Sequence, residues 1–133
     1  MTKSDAVSVV QAFHDHLNDR KVADLLALAT DDVRIGGPRG VGEGKYLLEE
    51  WVSRANISMA PRRWFRREGI VVVEQFATWH DPVSGAETGS QTVVTVFTVE
   101  EGHLTGIARY GFLAEAVNSA SMDESNEIQP PIQ

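Results

Sequence analysis

Apolar positions in the first third of the chain recur at helical spacing. Val7, Val10, His14 and Leu17, with Phe13 beside them, form one face of a helix over residues 4–18. Ser4 is placed to cap it, and Asp5 sits in the first turn, where the helix dipole favours a negative charge. Asn18-Asp19-Arg20 breaks the pattern. Leu25, Leu26 and Leu28 mark a second, shorter helix over 22–29, and Leu47, Leu48, Trp51 and Val52 a third over 45–55. A short strand is expected at 33–36. Residues 36–44 hold five glycines and one proline, which predicts an irregular loop. From Pro61 the pattern becomes that of strands, over 62–68, 70–80, 91–99 and 104–112, the last three rich in β-branched and aromatic residues. Turns are expected at 81–85 and 100–102. Helices followed by an antiparallel meander predict an α+β domain.

Composition narrows the picture. The chain has 133 residues, no Cys, three Trp and a net charge of −7. The length suits one domain. Without cysteine there is no disulfide framework, thiolate metal site or Cys nucleophile. The acidic balance argues against nucleic acid and anionic membranes as partners. The first twenty residues hold no apolar signal-peptide core, and no apolar run reaches the ~18 residues of a membrane span. A cytoplasmic protein is expected. Residues 1–118 form the expected domain. Residues 119–133, with Asp123, Glu124, Glu127 and Pro130-Pro131 and little apolar periodicity, read as an unstructured acidic tail.

Strand alternation sorts the sheet into two faces. Pairing 70–80 with 91–99 around a turn near Ser84 and Gly85 sets Trp79 against Gln91, Ala77 against Val93, Gln75 against Thr95 and Val73 against Phe97. Gln75, Trp79, Thr95 and Phe97 then share one face. Val72, Phe76, Val94 and Val96 share the other, an apolar surface that needs covering.

The order of elements resembles the nuclear transport factor 2-like superfamily, which includes ketosteroid isomerase, SnoaL-like polyketide cyclases and limonene epoxide hydrolase. The likeness is carried by Val9-Val10-Gln11…Leu17-Asn18 and by 25–29 with Asp31-Asp32-Val33. It continues through the glycine-rich stretch leading into Leu48…Trp51, and ends at Ile107-Ala108-Arg109-Tyr110. It covers about 4–117 and implies three N-terminal helices packed in the concavity of a strongly curved antiparallel sheet, a cone-shaped α+β barrel with an internal cavity, over whose mouth the loop 36–44 is expected to lie as a candidate lid. It also implies a homodimer through the outer sheet face, at Val72, Phe76, Val94 and Val96. Superposed on the isomerase, the face of Thr95 turns inward, as do Phe13, Trp51, Trp64, Ile107, Arg109 and Gly111. The isomerase's tyrosine donor falls at Phe13, its base at Gly37 and its second acid at Thr95, so its three chemical groups are missing and its mechanism cannot run here.

The expected ligand-binding set is Phe13, Trp51, Trp64, Gln75, Trp79, Thr95, Phe97 and Arg109, an aromatic pocket with few polar groups. Trp79 is favoured as lining because its neighbours are polar. Arg109 and His14 are the candidates for a catalytic part. An inward Arg109 needs a partner, either a ligand carboxylate, phosphate or enolate, or an acid such as Glu50, unless it reaches the rim. His14 is either a proton-transfer group or a satisfied core histidine. His14 and His16, two apart on a helix, point to nearly opposite sides and are no metal pair. No metal and no cofactor are expected. The run Arg62-Arg63-Trp64-Phe65-Arg66-Arg67 reads as a charged edge strand rather than a nucleic-acid surface. The resulting expectation is a SnoaL-like protein that binds a small organic ligand. It is either an enzyme of cyclase, isomerase or hydrolase type or a non-catalytic binding or dimerisation module.

Overall fold

Four helices and seven strands form in chain order: α1 (Asp5–Asn18), α2 (Val22–Ala27), β1 (Ala29–Gly37), β2 (Gly40–Glu43), α3 (Lys45–Ala55), β3 (Ile57–Arg67), β4 (Ile70–His80), β5 (Glu87–Glu100), β6 (His103–Tyr110), α4 (Leu113–Ser119) and β7 (Glu127–Ile128). A short 3-10 turn, Glu124–Asn126, precedes β7. This computed structural model describes residues 5–37 and 40–131; Ser4, expected as a cap, lies outside them. One sheet contains every strand, in the order β2-β1-β6-β5-β4-β3-β7. Only the β1–β6 pair is parallel.

Alternation decides what each face covers. Val71, Val73, Ala77, Val93 and Phe97 turn inward onto Val10, Phe13 and Leu17 of α1 and Leu48 and Val52 of α3. Helices α1 and α3 thus fill the concave side of the sheet, as expected for an α+β cone. Asn18 fastens the end of α1 to β3: its amide nitrogen donates to the Met59 carbonyl at 2.9 Å, and its oxygen accepts from the Met59 N–H at 2.8 Å.

The expected β4–β5 register is displaced by two residues. Gln75 stands opposite Val93, and Thr95 opposite Val73. A shift of one residue would have exchanged the faces; a shift of two keeps them and only slides one strand along the other.

Pro38 and Arg39 of the glycine-rich stretch lie outside the described residues; the residues on either side of them are not irregular but form the strands β1 and β2, whose pairs run from Arg34↔Glu43 to Gly37↔Gly40. Antiparallel pairing satisfies the backbone without side chains, which a count of glycines does not reveal. Strand β3 also begins earlier than expected and passes through Pro61. A bulge between Pro61 and Arg63 accommodates the proline, on a side where β3 has no neighbour until Trp64 meets Ile128.

The C-terminal stretch, expected to lack structure from Ser119, contains the 3-10 turn and β7. Phe65, Val72 and Val94 on the outer face of the sheet cluster with Ala116, Ala120 and Met122. Asp123 caps the 3-10 turn by accepting from the Ser125 N–H at 2.9 Å. Arg63 donates twice to the Glu127 carboxylate, at 2.9 Å each, which holds that carboxyl below its usual range. Arg67 donates to the Ser121 carbonyl at 3.2 Å, and Arg62 lies 4.8 Å from the Phe76 ring centre. Much of the basic run is therefore engaged within the chain. Two of the four residues of the expected dimer face lie beneath the chain's own α4 segment: Val72 is 0% and Val94 1% exposed. Phe76 and Val96 remain half-buried.

One turn makes a steric demand. A Cβ at Gly69, between β3 and β4, would stand 2.5 Å from the Val99 carbonyl oxygen, while the Gly69 oxygen accepts from the Val99 N–H at 2.8 Å. Backbone cannot move aside as a side chain can. Gly69→Ala is expected to lower stability by about 2 kcal/mol, in the range of strain introduced into well-packed sites. Chemical denaturation within about 0.5 kcal/mol of wild type would contradict this packing.

Candidate functional site

The helices and the sheet leave a cavity of about 420 Å³ between them, within the range of small-molecule sites. Phe13 of α1 and Leu48 and Trp51 of α3 close one side. Met59, Ile107 and Ile35 supply apolar strand residues, and Gly36, Gly37 and Gly40 make a wall of nearly bare backbone. Among the described residues its polar side chains are Thr95 on β5 and Arg109 on β6, which stand directly opposite each other in the sheet.

Arg109 is half-buried, and its Nε–H is buried with no hydrogen-bond partner. Among the described residues no carboxylate lies within ion-pair distance of it; the ion pairs are Lys45–Asp31 and Arg63–Glu127. Glu50 is exposed and does not partner it. A buried donor left without an acceptor costs about 1–3 kcal/mol, which an acceptor inside the cavity would recover.

Thr95 continues into a buried polar chain. Its hydroxyl donates to Gln75 Oε1 at 2.9 Å, Gln75 Nε2 lies 3.0 Å from His14 Nε2, and His14 Nδ1 lies 2.8 Å from the Val10 carbonyl oxygen. Gln75 is 0%, His14 1% and Thr95 3% exposed. Burial pushes His14 down to about 4, against smaller opposing effects from the Val10 carbonyl and Asp15. The imidazole is therefore neutral at pH 7. Phe13, Trp64 and Phe97 pack around it, with ring centres 5.6–5.8 Å away.

The expected site is thus partly assembled. Phe13, Trp51, Thr95 and Arg109 line the cavity; Trp64, Gln75, Trp79 and Phe97 do not. Trp64 and Phe97 are fully buried core, and Gln75 stands one hydrogen bond behind Thr95. His14, a candidate for proton transfer, is a satisfied core histidine without a face on the cavity. Trp79 stands too far along β4: the expected register already set it four residues from the row of Thr95, and the observed one sets it six. Thr95 and Arg109 share a row with Val73, and Trp79, six residues further along β4, pairs with Ile57 and Gly89. At ~3.3 Å per residue, that is roughly 20 Å along the strand. Sequence reading left out Ile35, Leu48 and Met59, and took the glycine wall for a loop over the mouth. An apolar residue beside a cavity has the same pattern as one in the core.

The order of strands, the helices in the concavity and the cavity between them can be compared with solved structures. An NTF2-like protein of unknown function from Cytophaga hutchinsonii superposes with a TM-score of 0.69, at 14% identity, over 83% of this chain and 92% of that one. The chain has the NTF2-like fold. TerC, co-crystallized with polyporic acid, aligns with a TM-score of 0.70 at 18% identity, covering 84% of this chain and 95% of TerC. A candidate polyketide cyclase from Xanthomonas campestris pv. campestris aligns with a TM-score of 0.67 at 21% identity, over 85% and 94% of the two chains. No family model and no curated sequence matches the chain. Within this NTF2-like chain, Phe13, Gly37 and Thr95, the positions where the resemblance sets the isomerase's donor, base and acid, all line the cavity. None of the described lining residues is a carboxylate, imidazole or phenol. Among the described residues no group of side chains could hold a metal ion, and no helix is long and apolar enough to cross a membrane.

Proposed function

We propose that the chain binds a small, mostly apolar organic molecule through an anionic or strongly polarised oxygen held by Arg109. The carrying observation is the buried, unpartnered Arg109 Nε–H in a cavity whose described walls are otherwise almost entirely apolar. A guanidinium favours carboxylate-like acceptors because its planar donors match two oxygens at once. The likeness to TerC, co-crystallized with polyporic acid, supports an acid as the ligand class.

The test is calorimetric titration with hydrophobic carboxylic acids and their primary amides, on wild type and on Arg109→Gln. Acids are expected to bind better than amides. Arg109→Gln is expected to weaken the acids tenfold to about a hundredfold, the value of a charge-assisted hydrogen bond. Failure of every acid to bind wild type, or equal affinity in the variant, overturns the reading.

The likeness to a candidate polyketide cyclase favours a second reading, in which Arg109 stabilises an enolate forming on a bound substrate. The described cavity residues supply no proton acceptor for such a step near neutral pH, so the proton would pass to the substrate or to water. Binding without chemistry uses every polar group of the cavity and asks for nothing further.

A further inference from the structure

The hydrogen-bond chain behind the cavity fixes the direction in which its polar end is read. A carbonyl only accepts, so His14 Nδ1, 2.8 Å from the Val10 oxygen, carries the imidazole proton. The neutral ring then has a lone pair on Nε2, and Gln75 must turn its N–H to it. That leaves Gln75 Oε1 facing Thr95, whose hydroxyl proton it takes at 2.9 Å. A hydroxyl has one proton and two lone pairs, and Thr95 has spent its proton inward. What it offers the cavity is an acceptor. Arg109, its partner across the β5–β6 ladder, offers only donors.

We infer that the polar end of the cavity reads an acceptor and a donor side by side. Arg109 holds an anionic oxygen while Thr95 Oγ1 accepts from a neighbouring hydroxyl, so 2-hydroxy acids and their enolic relatives are the class selected. This rests on Arg109 being the anion site and adds Thr95 as the residue that determines specificity. An acid with an ether oxygen or a hydrogen in place of the hydroxyl brings no donor to Thr95. The His14 imidazole, neutral because it is buried, is what orients the amide of Gln75 and through it the hydroxyl of Thr95.

Three probes isolate this contact: mandelate, which carries the hydroxyl, phenylacetate, which lacks it, and 2-methoxy-2-phenylacetate, which blocks it. Their affinities are measured on wild type, Thr95→Val, Thr95→Ser and Arg109→Gln at pH 7. Valine copies the shape of threonine without its oxygen. Because Thr95→Val leaves Gln75 Oε1 unpaired and lowers stability, the quantity read is the ratio of affinities on one protein, and Thr95→Ser restores the oxygen. Wild type is expected to prefer mandelate over phenylacetate by roughly fivefold, the worth of one neutral hydrogen bond, and to gain nothing from the methyl ether. The ratio falls to about one in Thr95→Val and returns in Thr95→Ser, while Arg109→Gln weakens all three acids. If the acids bind in an Arg109-dependent way but without preference, or if the preference survives in Thr95→Val, the inference on Thr95 is overturned and the anion site stands. If no acid binds in an Arg109-dependent way, the anion reading fails, and the inference with it.

Discussion

Gln75→Leu is expected to cost about 3 kcal/mol of folding stability, although leucine nearly fills the space of glutamine. Gln75 is fully buried and serves two partners, accepting from Thr95 at 2.9 Å and meeting His14 Nε2 at 3.0 Å. The two are not equally exposed to its loss. Thr95 lines the cavity, so its hydroxyl can turn toward that space. His14 has no such escape. Its Nδ1 proton is committed to the Val10 carbonyl, and its Nε2 lone pair would face a methyl group inside a shell of Phe13, Trp64 and Phe97. An orphaned buried acceptor loses about 1–3 kcal/mol, and the broken hydrogen bonds add to that.

The arrangement also predicts strong coupling. Replacing both partners by apolar groups removes the orphan, so His14→Leu combined with Gln75→Leu should be roughly 2 kcal/mol more stable than the sum of the single changes implies. Urea denaturation of the four proteins closes the cycle. A Gln75→Leu protein within about 0.5 kcal/mol of wild type, or additive changes, would remove the hydrogen-bond chain from the account of this core.

That chain marks how far the sequence could be read. Alternation alone put Gln75 and Thr95 on one face with Phe97, and the face survived a register error because the error was two residues, an even number. The same error set Trp79 two residues too close to the row of Thr95. Alternation fixes a face, whereas a row along the strand depends on the turn, and β5 begins at Glu87, four residues before its expected start. Phe13, Trp51, Thr95 and Arg109 were legible as cavity residues only once the resemblance had chosen the inward face. The hairpin wall at Gly36, Gly37 and Gly40 was not legible, because its cohesion lies in backbone pairing that leaves no trace in side-chain pattern. The C-terminal cover was missed for a related reason. Ala116, Ala120, Met122 and Ile128 are too few and too unevenly spaced to form a periodic stripe, yet each meets the outer face or β3. Arg63, read as an edge charge, turned out to hold that segment through Glu127.

Folding stability should fall as the pH drops from about 6.5 to about 4, and His14 sets that window. In the unfolded chain its imidazole titrates near 6.5; in the fold, burial lowers it to about 4. Between these values the unfolded state holds one proton more than the native state, so stability rises with pH. The contribution is complete above about 6.5, is lost at about 1.4 kcal/mol per pH unit below it, and no longer changes below about 4. The whole span amounts to about 3 kcal/mol, undiscounted for solvent because the ring is 1% exposed. Asp123 and Glu127, held low by hydrogen bonds from Ser125 and Arg63, lose their contributions only as the pH falls below about 4.5. The interval from pH 5 to 6.5 therefore isolates His14. His14→Leu lowers stability overall, since it strips Gln75 Nε2 of its acceptor, so the slope and not the level is the measurement. Denaturation free energies at several pH values between 5 and 6.5 should climb steeply for wild type and stay nearly flat for His14→Leu. Parallel slopes would mean that the native imidazole takes up its proton over the same range as the unfolded one, and burial would then not hold it neutral between pH 5 and 6.5.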